Sequence, residues 1–298
     1  MKASHWIRAI IDERQPLSPI PTEIQPRLAN LSRIRAVIFD VYGTLIASGS
    51  GDVGSVDQTD RSNVIQDAME IAGVSRDVAK SITWQDLRAG IQASNAERKK
   101  DGCDSPEVDI IAVWRGLLED RGWIGGDEAI SQVLRLAAAF ESSANPTWPM
   151  PGSTDLIHAL AKNEFELGIV SNAQVFTPFL VEDLLISKKF NDNIFKTDLC
   201  IFSNRFRSAK PGKRLFLALA NALERRGILP QEAVYVGNDM LNDVWAARQI
   251  GMKTAWFAGD RRSVRDRIGD PRCAELSADL VLTSLPQLLE CLTLNMSD

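Results

Sequence analysis

Residues 36–44 read Ala36-Val37-Ile38-Phe39-Asp40-Val41-Tyr42-Gly43-Thr44. An apolar run that stops at an acid and a Gly-Thr turn predicts a buried parallel strand ending on a carboxylate. Open α/β sheets bind ligands at the carboxyl ends of their strands, so Asp40 is expected at the edge of a binding site. A carboxylate in that place can act as a nucleophile. The stretch therefore predicts a parallel α/β sheet with Asp40 at the centre of its chemistry.

The chain after residue 148 alternates predicted strands with predicted helices, which is typical of a Rossmann-like parallel sheet flanked by helices. The predicted strands are 167–170, 233–237, 254–257 and 280–282, and the predicted helices begin near Phe176, span 211–226 and run through Ile250. We therefore expect the α/β fold class, with the strand before Asp40 as the first strand of the sheet.

Residues 53–147 show helical periodicity with little strand character, and they are predicted to form an inserted helical cap domain. A flexible polar stretch, 48–52, leads into this insert, and a proline-rich stretch near residue 148 leads out of it. The Rossmann-like core is then expected over 34–52 and 148–298. Residues 1–33, rich in proline and mixed charge, are expected to form an N-terminal arm lying over the domain.

Composition narrows the class of partner. The 298 residues carry a formal net charge of -5, which argues against a nucleic-acid partner or an anionic membrane surface and favours a small molecule as substrate. No apolar stretch approaches the roughly 20 residues of a spanning helix, so no membrane partner is expected. Four dispersed cysteines without paired spacing favour free thiols in a reducing cytoplasm. The oligomeric state is open at this stage.

Four polar signatures follow the apolar strands or precede helices in the core. They are Asp40 to Thr44, Ser171-Asn172, Lys210-Pro211, and Gly237-Asn238-Asp239-Met240-Leu241-Asn242-Asp243. Their order and spacing, with a helical insert directly after the first, resemble the haloacid dehalogenase superfamily, a group of aspartate-nucleophile hydrolases. The resemblance covers roughly 34–52 and 148–285.

The resemblance implies a role for each signature. Asp40 would attack the substrate and become esterified, while Lys210 would neutralise charge on the nucleophile and on the transferring group. Mg²⁺ would be held by the Asp40 carboxylate and by Asp239 and Asp243. The remaining implied roles are metal binding by the Tyr42 carbonyl and by Asn238, loop support by Thr44, and substrate binding by Gly43, Ser171 and Asn172.

The charges of these residues favour the same interpretation on physical grounds. A carboxylate that approaches a phosphoryl group is repelled by it, and an ammonium group and a divalent cation offset that repulsion in a dry site. Asp239 and Asp243 are four residues apart, so at a helix start they share one face and repel unless a cation joins them. Each signature also has a simpler interpretation: a turn-forming Asp40, a helix-capping Ser171, a surface Lys210 at a helix start, and first-turn acids at 239 and 243.

Two departures from the phosphatase pattern leave the reaction open between branches. Tyr42 occupies the place of a second aspartate that serves as acid and base, and Asn238 occupies the place of the first aspartate of the fourth signature. Tyrosine at position 42 resembles the dehalogenase branch, which needs no metal. Because the acids are retained, we expect Mg²⁺-dependent phosphoryl transfer from a small phosphorylated metabolite. The alternatives are a 2-haloacid dehalogenase and a catalytically weak anion-binding or regulatory homologue.

Two further groups of polar residues have no settled role. An arginine run at 261–267 is interpreted either as an anion-attracting group or as a solvated helix face. Within the insert, a set of polar residues is placed to reach over the site: Arg88, Asn95, Arg98, Lys99 and Lys100.

Overall fold

The computed structural model describes residues 5–7, 14–50, 61–186 and 194–292. Within these ranges the strands are β1 (Ala36–Phe39), β2 (Ile46–Ser48), β3 (Thr147–Pro149), β4 (Glu166–Ser171), β5 (Phe195–Phe202), β6 (Ala233–Gly237), β7 (Lys253–Phe257) and β8 (Leu280–Leu282). Six of them form one parallel sheet in the order β5-β4-β1-β6-β7-β8. The predicted α/β class with a Rossmann-like parallel sheet is confirmed.

Helices cover the sheet and build the insert. In the described residues they are α1 (Ser62–Ile71), α2 (Arg76–Lys80), α3 (Trp84–Lys100), α4 (Ile110–Glu119), α5 (Ala129–Ala144), α6 (Ser153–Lys162), α7 (Thr177–Leu185), α8 (Ser203–Phe206), α9 (Lys213–Arg225), α10 (Ala246–Arg248) and α11 (Gln287–Cys291). A π-helical segment, Met240–Trp245, runs directly into α10. Within this described part of the chain, no helix is both long and apolar enough to cross a bilayer.

Strand β1 lies at the middle of the sheet because all four of its side chains are apolar and fully buried. Strands that are covered on both faces read as continuous apolar runs. Phe39 pairs with Ile169 of β4 on one side and with Val236 of β6 on the other. Asp40, the next residue, therefore emerges between the carboxyl ends of two neighbouring strands.

Helices α1 to α5, called the helical insert below, enclose a hydrophobic core of their own. This core includes Ile65 and Met69 from α1 and Trp114 and Leu118 from α4. Strands β2 and β3 pair antiparallel, which brings the chain that enters the insert beside the chain that leaves it. The division into core and cap at 53 and 147 stays a prediction, and 51–60 lie outside the described residues.

Two parts of the fold differ from the sequence-based expectations. The edge strand β5 was not predicted, because its first half carries polar residues that face solvent instead of an apolar run. The N-terminal arm also carries core side chains: Trp6 and Ile7 are buried in the main core, and Trp6 meets Phe179 edge to face at 5.3 Å. Residues 1–4 and 8–13 of the predicted arm lie outside the described residues.

Candidate active site

The four sequence signatures meet at the carboxyl edge of the sheet. Asp40 follows β1, Ser171 ends β4, Lys210 precedes α9, and Asn238 follows β6. A small polar cavity of about 30 Å³ lies at this edge. It is lined by Asp40, Tyr42, Asn172, Lys210, Asn238, Asp239, Asn242, Asp243, Ser263 and Arg265. Seven of the ten predicted site residues therefore line one cavity. The other three, Gly43, Thr44 and Ser171, are buried and do not line it.

The Lys210 ammonium joins two of the predicted acids. Its Nζ donates to Oδ1 of Asp40 at 2.7 Å and to Oδ1 of Asp243 at 2.6 Å, and all three side chains are less than one tenth exposed. Burial lowers the pKa of Lys210, but Asp243 and Asp40 together raise it above its usual range. The ammonium therefore stays charged and is fixed against the proposed nucleophile.

Tyr235 supports this arrangement, although its place inside β6 gave no signal in the sequence. Its hydroxyl donates to the Val170 carbonyl at 2.6 Å and lies 3.1 Å from Lys210 Nζ. Burial raises the pKa of Tyr235, so the phenol stays neutral beside the charged lysine. Because the rest of β6 is apolar, the role of the Tyr235 hydroxyl becomes evident only when β4 and β6 are seen to flank β1.

The π-helical segment after β6 sets the position of Asp243. Its Oδ2 accepts from the Asp239 backbone N–H at 2.9 Å, which folds the carboxylate back toward the strand end. A Cβ on Gly237 would lie 2.3 Å from Cγ of Asp243, so this approach requires glycine. Burial raises the pKa of Asp243, and Lys210 offsets part of that rise.

Asp239 is engaged differently from its predicted partner Asp243. Its Oδ1 accepts from the backbone N–H groups of Leu241 at 2.8 Å and Asn242 at 3.1 Å, which caps the π-helical segment. Arg267 donates to both carboxylate oxygens, including Nε to Oδ1 at 3.0 Å. The cation that offsets this charge is thus an arginine of the chain itself.

The arginine run that supplies Arg267 does not form a helix. Residues 261–267 are irregular, so the interpretation as a solvated helix face is wrong. Arg265 N–H donates to the Asn238 carbonyl at 3.0 Å, and Met240 N–H donates back to the Arg265 carbonyl at 2.9 Å. This bridge holds the run against the fourth signature. The charge pattern singled out these arginines, but the contact of Arg267 with Asp239 could not be predicted because the two residues are more than twenty positions apart in the sequence.

Asn238 is held close to the first turn. Its Nδ2 donates to the Ser263 carbonyl at 2.5 Å, and the Thr44 hydroxyl lies 3.4 Å from its Oδ1. Gly43 has φ +79°, and a Cβ there would lie 2.6 Å from Asn238 Nδ2 and 2.5 Å from Ser263 Cβ. The Gly-Thr turn therefore packs directly on the fourth signature and requires glycine for both conformation and space.

The Tyr42 hydroxyl is held in a buried contact and does not serve as a base. Its hydroxyl lies 2.9 Å from the Thr177 hydroxyl, and both groups are buried. Burial raises the pKa of Tyr42 well above its ordinary value, and the nearby Glu141 charge raises it further. A phenol in this state is a poor base at neutral pH.

The second signature is tied to the third. Oδ1 of Asn172 accepts from the Lys210 backbone N–H at 2.7 Å, and the Ser171 hydroxyl donates to the Asn172 carbonyl at 3.2 Å. Ser171 is fully buried, whereas Asn172 lines the cavity. The predicted role of both residues in binding the transferring group stays a prediction.

The residues that line the cavity offer Mg²⁺ a small set of oxygen ligands. In the described residues, no group of three or more His, Cys, Asp or Glu side chains is placed to hold a metal ion, and the carboxylates of Asp243 and Asp239 contact Lys210 and Arg267. No hydrogen bond among these residues engages Oδ2 of Asp40. Mg²⁺ is commonly held by one or two carboxylates together with water and substrate phosphate. A set made of Asp40, the Tyr42 carbonyl and Asn238 fits that habit.

Comparison with known proteins gives three matches of note. A family model described as a haloacid dehalogenase-like hydrolase matches residues 34–251. The phosphoglycolate phosphatase of Escherichia coli (strain K12) is 28% identical over 232 residues, 73% of this chain and 79% of that protein. The 2-haloacid dehalogenase from Pseudomonas syringae pv. Tomato DC3000 has a TM-score of 0.52 at 20% identity, covering 87% of this chain and 97% of that one, and so shares the fold.

A further relative matches a shorter region. The glyceraldehyde 3-phosphate phosphatase of Pyrococcus furiosus is 27% identical over 143 residues, 48% of this chain and 54% of that protein. The chain therefore spans about half the length of that relative.

Proposed function

This chain belongs to the haloacid dehalogenase-like hydrolases, and from that membership we propose that it is a phosphatase acting on a small phosphorylated metabolite through an aspartyl phosphate at Asp40. The observation that carries the proposal is the contact of 2.7 Å between Asp40 Oδ1 and Lys210 Nζ, made by a carboxylate that lines the polar cavity. The similarity to two proteins named as phosphatases supports the same reaction.

The proposed reaction has two steps. In the first, Oδ2 of Asp40 forms a bond to phosphorus, the ester P–O bond breaks, and the leaving alkoxide takes a proton from water. In the second, water attacks the same phosphorus, the bond to Asp40 breaks, and inorganic phosphate leaves with a water proton. Lys210 stays bound to Oδ1 throughout and offsets the negative charge that gathers between nucleophile and phosphoryl group.

The proposed cofactor is Mg²⁺, held by Asp40, the Tyr42 carbonyl and Asn238, with Asp239 and Asp243 as the nearest further acids. When bound, it supplies Lewis-acid charge compensation for the phosphoryl oxygens. Because the Tyr42 hydroxyl is engaged with Thr177, the chain offers no base at that position. We therefore expect the second step to limit turnover.

A second candidate reaction is halide displacement from a 2-haloacid. Two observations favour it: tyrosine stands at position 42, and the Asp239 carboxylate is neutralised by Arg267 without a metal. Both candidates use Asp40 as nucleophile, and they differ in the leaving group and in the need for a divalent cation.

A substrate panel tests the proposal directly. Purified protein is assayed with phosphate monoesters and with short 2-haloacids, each with Mg²⁺ and with EDTA. We expect phosphate release that EDTA abolishes, and acid-quenched protein heavier by one phosphoryl group on Asp40. Chloride release that ignores EDTA would establish the dehalogenase instead, and anion binding without turnover of any substrate would contradict both.

Two variants identify the nucleophile. Asp40→Asn is expected to lose phosphate release and the mass increase together, because an amide cannot form the ester. Asp101→Asn, which changes an acid whose side chain is 59% exposed, is the matched control and is expected to keep both.

A further inference from the structure

A second and larger cavity lies beneath the helical insert. Its volume is about 210 Å³, against about 30 Å³ for the cavity at Asp40. Asn172 lines both cavities, so the larger one opens where the proposed phosphoryl site ends. A cavity of this size has room for an organic group of several non-hydrogen atoms.

The walls of this cavity are largely apolar and come from both parts of the molecule. Trp84, Ile91 and Phe140 belong to the insert, and Phe176 belongs to the core. Trp84 stacks on Phe140 with ring centroids 6.1 Å apart, which makes one wall flat and rigid. Such a surface favours an apolar or aromatic group over a small, fully hydrated one.

The ionisable side chains in the cavity are unfavourable for an anionic group. Glu107 accepts hydrogen bonds from Ser203 at 2.5 Å and from Gln174 at 2.9 Å, both neutral donors. Glu141 accepts from Asn145 at 3.0 Å. Burial raises the pKa of each of these two carboxyl groups.

Arg61 is the cation among the residues that line this cavity, and its guanidinium already interacts with other groups of the chain. Its guanidinium donates to the Ala144 carbonyl at 2.8 Å and lies 5.9 Å from the centroid of the Trp84 ring. The same charge acts on Glu141 and lowers the pKa of that carboxyl against the effect of burial. Among the residues that line the cavity, the one cation is therefore already engaged and the other two ionisable groups are acids, so a carboxylate finds no uncommitted positive charge there.

Two buried polar atoms of residues that line the cavity lack a hydrogen-bond partner among the described residues. Trp84 Nε1, a donor, and Asn95 Oδ1, an acceptor, make no hydrogen bond within the part of the chain that the structure describes. Buried donors and acceptors without partners are costly, so a ligand that satisfies them gains affinity. A neutral hydroxyl group on the ligand would supply both an acceptor for Trp84 Nε1 and a donor for Asn95 Oδ1.

We infer that the substrate is the phosphate monoester of a bulky, largely apolar alcohol that carries no carboxylate, with its carbon skeleton in the cavity beneath the insert. This inference rests on the proposed phosphatase function and deepens it. It also separates this chain from its relative named for phosphoglycolate, whose organic part is small and carries a carboxylate.

Binding tests this inference separately from turnover. Titration calorimetry on the Asp40→Asn protein compares benzyl phosphate with phosphoglycolate in the presence of Mg²⁺. We expect benzyl phosphate to bind at least about 10-fold more tightly, since filling an apolar pocket commonly discriminates by that factor or more. Equal affinity or tighter binding of phosphoglycolate would overturn the inference. Failure of the wild type to hydrolyse any phosphate ester, with the binding preference intact, would overturn the proposed function alone.

Variants of helix α3 locate the binding group. Ile91→Phe narrows the cavity and is expected to remove most of the preference for benzyl phosphate. Ala93→Phe adds a similar ring at an exposed position of the same helix and is expected to leave the preference unchanged. Trp84→Phe keeps a ring but shortens the flat wall that Trp84 forms with Phe140, so it serves as a second test if Ile91→Phe does not fold. A preference that survives both cavity variants contradicts the inference.

Discussion

The cavity at Asp40 and the cavity beneath the insert both hold buried carboxylates, but these carboxylates contact cations in the first cavity and neutral hydrogen-bond donors in the second. At the sheet edge, Asp40 and Asp243 share the Lys210 ammonium, and Asp239 is bound by Arg267. Beneath the insert, Glu107 and Glu141 accept hydrogen bonds from neutral side chains. Buried charges are stable when paired, and unpaired acids shift toward their neutral form.

The difference separates a place for chemistry from a place for recognition. A fixed ammonium beside a carboxylate nucleophile is arranged for negative charge that develops during reaction. A cavity in which burial shifts the acids toward their neutral form exerts only a weak electrostatic field on a ligand. Such a cavity selects its ligand by shape and by a few hydrogen bonds.

Lys210→Met is expected to have the largest effect. It leaves Asp40 and Asp243 buried side by side without their cation, and removing one partner of a buried ion pair costs about 3–5 kcal/mol of unfolding free energy. Loss of a preorganised charge at the reaction centre lowers kcat by about 10²–10³. Urea unfolding and initial rates measure the two effects. Lys213→Met, at an exposed position three residues on, is the control, and a stable, active Lys210→Met protein would remove the contrast between the cavities.

Glu107→Gln tests the opposite cavity. Burial raises the pKa of Glu107 from 4.5 to about 7, so the folded protein holds this proton over a pH range in which the unfolded chain has lost it. Wild-type stability relative to Glu107→Gln is therefore expected to fall by about 3 kcal/mol as pH rises from about 4.5 to about 7, and then to level off. Urea unfolding of both proteins across this range measures the difference.

The control for that profile is Glu70→Gln, at an exposed position of α1, which is expected to leave the pH dependence of stability as it is in the wild type. A Glu107→Gln protein that loses stability relative to wild type as pH rises would show that the Glu107 carboxylate is stabilised as an ion. The contrast between the two cavities would then fail.

Gly237→Ala tests how tightly the charged cavity is built. The added Cβ would lie 2.3 Å from Cγ of Asp243 and would push that carboxylate from Lys210. Overpacking of this kind costs about 1–3 kcal/mol of stability, and kcat is expected to fall with it. Gly116→Ala, on α4 with nothing within 4 Å of the new Cβ, is the control and is expected to be neutral or stabilising. Equal behaviour of the two variants would show that Asp243 tolerates displacement.

Arg115→Ala is expected to have the smallest effect. Arg115 pairs with Glu119 at 2.7 Å on α4, with both side chains at least half exposed. Exposed pairs at this spacing contribute about 0.3–0.5 kcal/mol, which is near the error of thermal or urea unfolding. A loss comparable with that of Lys210→Met would mean that burial is not what distinguishes the pairs in this molecule.

Much of the fold follows from local sequence, and parts of it do not. Strands β1 and β6 were predicted from apolar runs because central parallel strands are buried on both faces. The edge strand β8 was predicted because its three residues are also apolar, whereas β5, at the opposite edge, was missed because its first half carries polar residues. The buried Trp6 and Ile7 were missed because a proline-rich segment gives no sign of where it docks.

The candidate site was predicted to a similar extent. Asp40, Lys210 and Asp243 were named from their signatures, and the structure brings them into contact. Tyr235 and Arg267 were not assigned a role, because each acts through residues that are distant in the sequence. The metal-binding roles of Asp239 and Asp243 stay predictions, and their contacts with Arg267 and Lys210 had no counterpart in the signatures.

The sequence by itself determined the class of fold, the strand that carries Asp40 and the family, since apolar runs and short signatures are local and survive without knowledge of neighbours. Only the tertiary structure decided which charges are paired, where the Tyr42 hydroxyl points and how large a cavity the insert leaves. Those properties depend on side chains that meet across the sheet edge and beneath the insert, and burial there changes both the strength of a charge pair and the cost of an unpaired acid.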